Sequence, residues 1–355
     1  MTNGLHDPQT RGFASDNYAG AHPEVLEALG RANGGHQPSY GADVYTARLA
    51  ELLVDHFGAG VQGFGVFNGT GANVVGLQAM TPRWGSVITA ASAHIHTDEA
   101  GAPERVAGLK LLTVPTGDGK LRPDDLERFP VDPTDVHHPL PAVVSITQST
   151  EYGTLYTPDE LAALTERAHR LGLTVHVDGA RIANAAASLG VPLRAISTDV
   201  GVDVLSLGGT KNGVLFGEIV LVINPDAVDG IDYLRKLNMQ LASKMRFLSA
   251  QFVALLDDDL WLRSAARANA MATSLRNGLQ QRLDAGTISG VGFSQPTQAN
   301  TILATLPDGA ADRLRQHFAF YDWDRAAREV RWVCSFDTTE SDVDQFLAAI
   351  TTELG

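Results

Sequence analysis

The strongest constraint on this chain is the alternation of short, β-branched apolar runs with helix-like segments. Ala142–Thr147 (AVVSIT), Thr174–Val177 (TVHV), Val204–Leu207 (VLSL) and Glu218–Ile223 (EIVLVI) have the length and composition of buried strands. Gly65–Phe67 and Ser86–Ala90 read as two earlier ones. Pro23–Leu29, Thr46–Phe57 and Gly71–Met80 read as helices, and so does Pro158–Leu171, behind the capping residue Thr157. This order predicts an α/β fold with a mostly parallel central sheet covered by helices. The pattern changes near Asp257. A long helix over Leu260–Ala285 leads to strand, helix and strand at Thr301–Ala304, Arg313–His317 and Glu329–Ser335, and a last helix spans Ser341–Leu354. That tail reads as a smaller α+β domain. The expected division is an N-terminal arm (1–14), a large domain (15–256) and a small C-terminal domain (257–355), which suits 355 residues. Pro130–Pro141 holds four prolines and reads as an irregular loop; its pair His137–His138 is read as solvated rather than as a metal site.

Composition excludes several partners. Apolar residues make up 44% and charged residues 19%, enough for a globular core. The formal net charge of −14 argues against nucleic acid or an anionic membrane as the main partner. Cys334 is the only cysteine, so no intrachain disulfide forms and a reducing compartment is expected. The opening residues are polar, and no apolar stretch is long enough to span a bilayer. A cytoplasmic enzyme is the expectation.

Two motifs carry most of the chemistry. Asp178 ends the strand-like run in HVDGAR, and the carboxyl ends of strands line the ligand crevice in open α/β sheets. Alone it would also serve as a cap for the helix beginning near Ala180. Lys211 lies in SLGGTKNG, in a Gly-rich turn after a strand. Alone it also reads as a surface lysine. Together, 33 positions apart and each behind a strand, they match what pyridoxal 5′-phosphate requires: an amine for its aldehyde and a carboxylate for its ring nitrogen.

Weaker signals accompany them. FNGTGAN (67–73) follows a strand and opens a helix, so Gly69 and Thr70 could present N–H groups and a hydroxyl to a phosphate, or form a plain tight turn. It is neither a Walker loop nor a dinucleotide fingerprint. In SAHIHTDEAGAPE (92–104), His94 or His96 could stack on a cofactor, move a proton, or be structural, and no complementary ligand set for a metal is evident. Arg181, Arg331 and Arg246 are candidate holders of carboxylate or phosphate, with surface salt bridges as the alternative.

The ordered motifs, from SDNYAGAHPEV through NGTGAN, AHIHTDEAGAPE, SITQSTEYGTLYT, HVDGARIANA, LSLGGTKNG and SKMRFLSAQ to VRWVCSF, resemble the low-specificity L-threonine aldolases almost end to end. The branch with the GGTKNG lysine motif, which includes phenylserine aldolase-like enzymes, is the nearest. The resemblance implies the aspartate-aminotransferase-like fold (type I) of pyridoxal phosphate enzymes. It implies Lys211 as the Schiff-base lysine, Asp178 as partner of the pyridine nitrogen, and His94 as the histidine stacked on the ring. It places Gly69, Thr70 and Arg246 at the phosphate, Ser15, Arg181 and Arg331 at the substrate carboxylate, and Tyr45 near the cofactor at a dimer interface. It further implies a homodimer or homotetramer with sites between subunits.

The activity so implied is cleavage of L-threonine, L-allo-threonine or related β-hydroxy-α-amino acids such as phenylserine to glycine and an aldehyde. A β-eliminating lyase on the same scaffold and a non-catalytic cofactor binder are the rivals. One position departs from the pattern: Glu151 stands in QSTEYG where another branch has a histidine in ENTHNGG. That leaves His94, His96 or a water as the base for the β-hydroxyl, with Asp98 or Glu99 to orient a histidine.

Overall fold

Seven strands build the central sheet of the computed structural model, which describes residues 5–355. They are β1 Gln62–Val66, β2 Gly85–Ala90, β3 Lys110–Val114, β4 Leu140–Thr147, β5 Thr174–Gly179, β6 Val204–Gly208 and β7 Glu218–Val222, in the order β1-β7-β6-β5-β4-β2-β3. β6, β5, β4, β2 and β3 are mutually parallel, as the alternating pattern predicts. β7 runs antiparallel to both neighbours, β6 and β1. Two reversals restore direction, so β1 points the same way as β6. The carboxyl ends of β1, β2, β4, β5 and β6 therefore share one edge, and these ends and the segments leaving them carry the residues that line the cavity below.

The central strands are apolar throughout because both faces are covered. All of β2, β6 and β7 is buried. The helix Gly69–Met80 lies against the sheet and is apolar nearly all round, with Val74, Val75 and Leu77 enclosed. Each such side chain contributes about 1.5–3 kcal/mol relative to exposure. Helix starts follow capping chemistry: Asn68 Oδ1 accepts from Gly71 N–H at 2.7 Å, and Thr157 and Glu160 form a reciprocal capping box.

A second sheet has four antiparallel strands: β8 Gly292–Phe293, β9 Thr301–Thr305, β10 Tyr321–Asp324 and β11 Glu329–Val333, in the order β10-β11-β9-β8. The helices Leu260–Asp284 and Glu340–Leu354 enclose its core around Trp332 and Phe346. Phe13 stacks on Phe346 at 4.4 Å, and its backbone bonds Ala319 and Val333, so the chain is fixed to this sheet from Phe13 onward. Residues 1–4 of the expected arm lie outside the described residues. The helix Leu260–Asp284 serves both cores: Leu260, Trp261 and Ala265 pack with the first, Met271, Leu275 and Leu279 with the second.

Candidate active site

Four parallel strands deliver the chemistry. His94 follows β2, Glu151 follows β4, Asp178 sits within the end of β5, and Lys211 follows β6, in the turn Thr210–Asn212. Gly208 permits the approach of the last two loops: a Cβ there would lie 2.5 Å from the carbonyl oxygen of Ala180. Gly69, which opens the helix after β1, joins them. These residues, with Asn73, Glu99, Thr147, Ser149, Ala180 and Arg181, line one cavity. Lys211 and Asp178, paired in the sequence on chemical grounds, thus share a pocket.

The polar network is continuous. Asn73 Nδ2 donates to Glu99 Oε1 at 2.8 Å and to Asp178 Oδ2 at 2.9 Å. His94 Nδ1 bonds Glu99 Oε1 at 2.8 Å, and Ala180 N–H donates to Asp178 Oδ1 at 3.0 Å. Burial alone would raise the Asp178 carboxyl. The nearby His94 and Lys211 charges, with the bonds from Asn73 and Ala180, outweigh it and hold the group below its usual range, hence ionised. Lys211 moves the other way for an amine: burial and then the Arg181 guanidinium lower it, against the pull of Asp16 and Asp178, which favours the neutral nucleophile. His94 is raised, chiefly by its bond to Glu99. His94, Glu99 and Asp178 bring ligand-type atoms within 4.8 Å of one another, but those atoms already bond each other and Asn73, so the trio reads as an orienting relay.

The cavity fits pyridoxal phosphate on three observations. Ser149 Oγ, Asn73 Oδ1 and Glu151 Oε2 are buried in its wall with no partner among the described residues. A Cβ at Gly69 would meet nothing within 4 Å, so an anion can approach the backbone there. A buried carboxylate and a depressed amine face the same space.

The remaining expected residues are placed as follows. Arg181 lines the cavity, with Nε and Nη2 forked onto Asp16 at 2.7 and 2.9 Å; Asn300 Nδ2 also donates to Asp16, at 3.0 Å. Arg331 lines an adjoining cleft with Ser92, Thr97, Asp98 and Tyr152, lies over the Trp323 ring, and keeps Nε buried without an acceptor. Burial and then the charge of Arg181 lower its guanidinium. Two cations held near each other with spare donors form a natural carboxylate clamp. Thr70 shares the helix start with Gly69. Ser15 accepts from Asn17 N–H and borders a different cavity; His96 is exposed. Arg246 donates to the Gly35 carbonyl at 3.0 Å, and neither it nor Tyr45 is part of the Lys211 cavity within this chain. Sequence reasoning singled out neither Asn73 nor Asp16. A lone asparagine in an otherwise apolar helix was the available signal for the first; nothing local marks the second.

Relatives agree with this geometry. A family model described as Beta-eliminating lyase matches residues 12–288. A low-specificity L-threonine aldolase of a Pseudomonas species is 42% identical over 96% of this chain and 97% of its own, and one of Pseudomonas aeruginosa is 41% identical over 98% and 99%. The chain belongs to the low-specificity L-threonine aldolase family. Among solved structures, a threonine aldolase of Leishmania major superposes with a TM-score of 0.89 at 28% identity, covering 97% of this chain and 99% of that one. A PLP-bound protein of Clostridium difficile assigned as an aminotransferase shares the fold alone, with a TM-score of 0.71 at 12% identity. The expected aminotransferase-like α/β architecture stands.

Proposed function

We propose that this chain is a pyridoxal phosphate enzyme that cleaves L-threonine, L-allo-threonine or related β-hydroxy-α-amino acids, phenylserine among them, to glycine and an aldehyde. The observation that carries the reading is the shared cavity of Lys211 and Asp178 at the carboxyl edge of the sheet, in a chain whose near-full-length relatives are named as aldolases. When bound, the cofactor supplies an aldehyde for an amine and an electron sink for the pair released from a broken Cα bond.

The chain's own groups do the rest. The Lys211 amine is the anchor for the aldehyde. Asp178, ionised and oriented by Asn73, keeps a proton on the ring nitrogen. Gly69 and Thr70 at the helix start would hold the phosphate through their N–H groups, and His94, steadied by Glu99, would hold the ring. Arg181 and Arg331 hold the substrate carboxylate. Such a clamp would orient the substrate's Cα and so favour carbon–carbon cleavage over other outcomes. β-Elimination on the same scaffold is the less favoured reading, because the relatives matching nearly the whole chain are aldolases.

The sites form between subunits in this reading. Phe67 stacks near Phe216 at 6.1 Å, and Leu215, Leu237 and Met239 are exposed as well; Met239 precedes Gln240, whose side chain accepts from Phe67 N–H. Tyr40, also exposed, has Lys236 over its ring and bonds Ser243, close to Arg246. In this reading a second copy supplies Tyr45 and Arg246 to the cofactor site. Among the described residues no helix is long and apolar enough to cross a membrane; a cytoplasmic setting is proposed from the lone thiol Cys334.

The test is aldehyde release from separate incubations with L-threonine, L-allo-threonine, D-threonine and phenylserine. Glycine in equal amount to aldehyde is expected with the L-substrates. A keto acid with ammonia instead would overturn the assignment.

A further inference from the structure

We propose that Glu151 is a catalytic residue, the base that takes the proton of the substrate's β-hydroxyl on its Oε2. The inference rests on the aldolase reading above and fills the role that reading leaves open. Glu151 stands at the cavity wall, four residues beyond the end of β4, facing the space it shares with Lys211 and Asp178. Its Oε1 accepts from the Thr147 hydroxyl and from His94 N–H, both at 2.8 Å. These two donors fix the carboxyl and saturate one oxygen. Oε2 is buried and has no partner among the described residues. A carboxyl of the cavity wall with one oxygen saturated and the other without a partner keeps the capacity to take a proton on that oxygen.

The other proposed bases are placed less well. His96 is exposed. His94 has Nδ1 committed to Glu99, and the reading above gives its ring the place against the cofactor, which leaves only Nε2 for other work. The groups facing Glu151 account for its affinity for a proton. Burial raises the carboxyl, and Asp178 adds to that, against the bonds from Thr147 and His94. Arg181, Tyr152 and Tyr156 feel its charge, and Arg181, Lys211 and Glu99 share the cavity with it. A carboxylate of raised affinity is a stronger base when ionised.

The step balances. The hydroxyl O–H bond breaks and its proton passes to Glu151 Oε2; the oxygen keeps the O–H electron pair and uses a pair to form the aldehyde C=O. The Cα–Cβ bond breaks, and its electrons go to the electron sink already described. Cα then takes one proton to become glycine, so none is consumed overall. Because the ionised form acts, cleavage rises with pH through the Glu151 titration, placing the acid limb above the usual carboxylate range.

The test compares wild type, Glu151→Gln and Glu151→Asp as cofactor-loaded proteins. Three readouts are taken: aldehyde release against pH, exchange of the glycine Cα hydrogen with deuterated water, and the protonated-carboxyl infrared band of cofactor-free protein. Glycine exchange involves no β-oxygen. In Glu151→Gln, cleavage should fall about a hundredfold or more while glycine exchange stays within about threefold. The acid limb should vanish, and the infrared band that titrates with it should be missing. Glu151→Asp should regain part of the rate and the limb. An unchanged limb in Glu151→Gln, or cleavage and glycine exchange falling together, overturns the proposal. A wild-type protein that releases no aldehyde would defeat the aldolase reading itself, and this inference with it; full cleavage by Glu151→Gln defeats this inference alone.

Discussion

Burial moves the pH at which some side chains titrate. His176 is one. It lies two residues before Asp178 on β5, between Ser145 Oγ at 2.9 Å and Ser206 Oγ at 3.0 Å, bridging the strands on either side. Burial drives its imidazole down to about 4, against the pull of Asp178. The native histidine therefore stays neutral while the unfolded chain takes up a proton below about 6.5. The folded state binds fewer protons in that window, so the stability from His176 is complete above pH 6.5 and is lost as pH falls toward 4. The loss is on the order of 3 kcal/mol at most. Urea unfolding between pH 7 and 4 should show a steeper decline for wild type than for His176→Asn. Parallel curves would mean that the imidazole titrates normally.

At the scale of elements, apolar character decided what the sequence revealed. β4, β5, β6 and β7 are enclosed on both faces and appear as continuous Val/Ile/Leu runs, so their positions were readable to within one or two residues. β3 (KLLTV) escaped because it is a sheet edge with one strand neighbour, and β10 (YDWD) because an edge strand tolerates acidic residues. The helix expected at 313–317 lies instead at Ala310–Leu314, started by the turn at Gly309. The site was partly legible for a related reason. Lys211, Asp178, His94 and Gly69 sit at strand or helix ends, which local sequence marks. Asn73, Asp16 and the His94–Glu151 bond matter through contacts over long chain separations, such as the 165 residues from Arg181 to Asp16, and no local pattern encodes those.

For the whole molecule, the sheet edge and the exposed apolar face meet at the Gly69 turn, since Phe67 precedes it and Phe216 follows Lys211 in the chain. Exposures of 40% for Phe67 and Phe216, 71% for Leu237 and 81% for Met239 are costly on a lone chain. Phe216→Glu combined with Met239→Glu should shift the protein to monomer in light scattering after gel filtration, with weaker cofactor retention. A wild-type monomer that keeps its cofactor would refute a site shared between subunits. The central claim is narrower: one lysine anchors the cofactor in the cavity that Asp178 shares. Borohydride reduction of the loaded protein followed by peptide mass mapping tests it most directly. The account predicts a single pyridoxyl-phosphate adduct, on the peptide containing Lys211, and none in Lys211→Ala. An adduct on another lysine, or an equal yield in that variant, would contradict it.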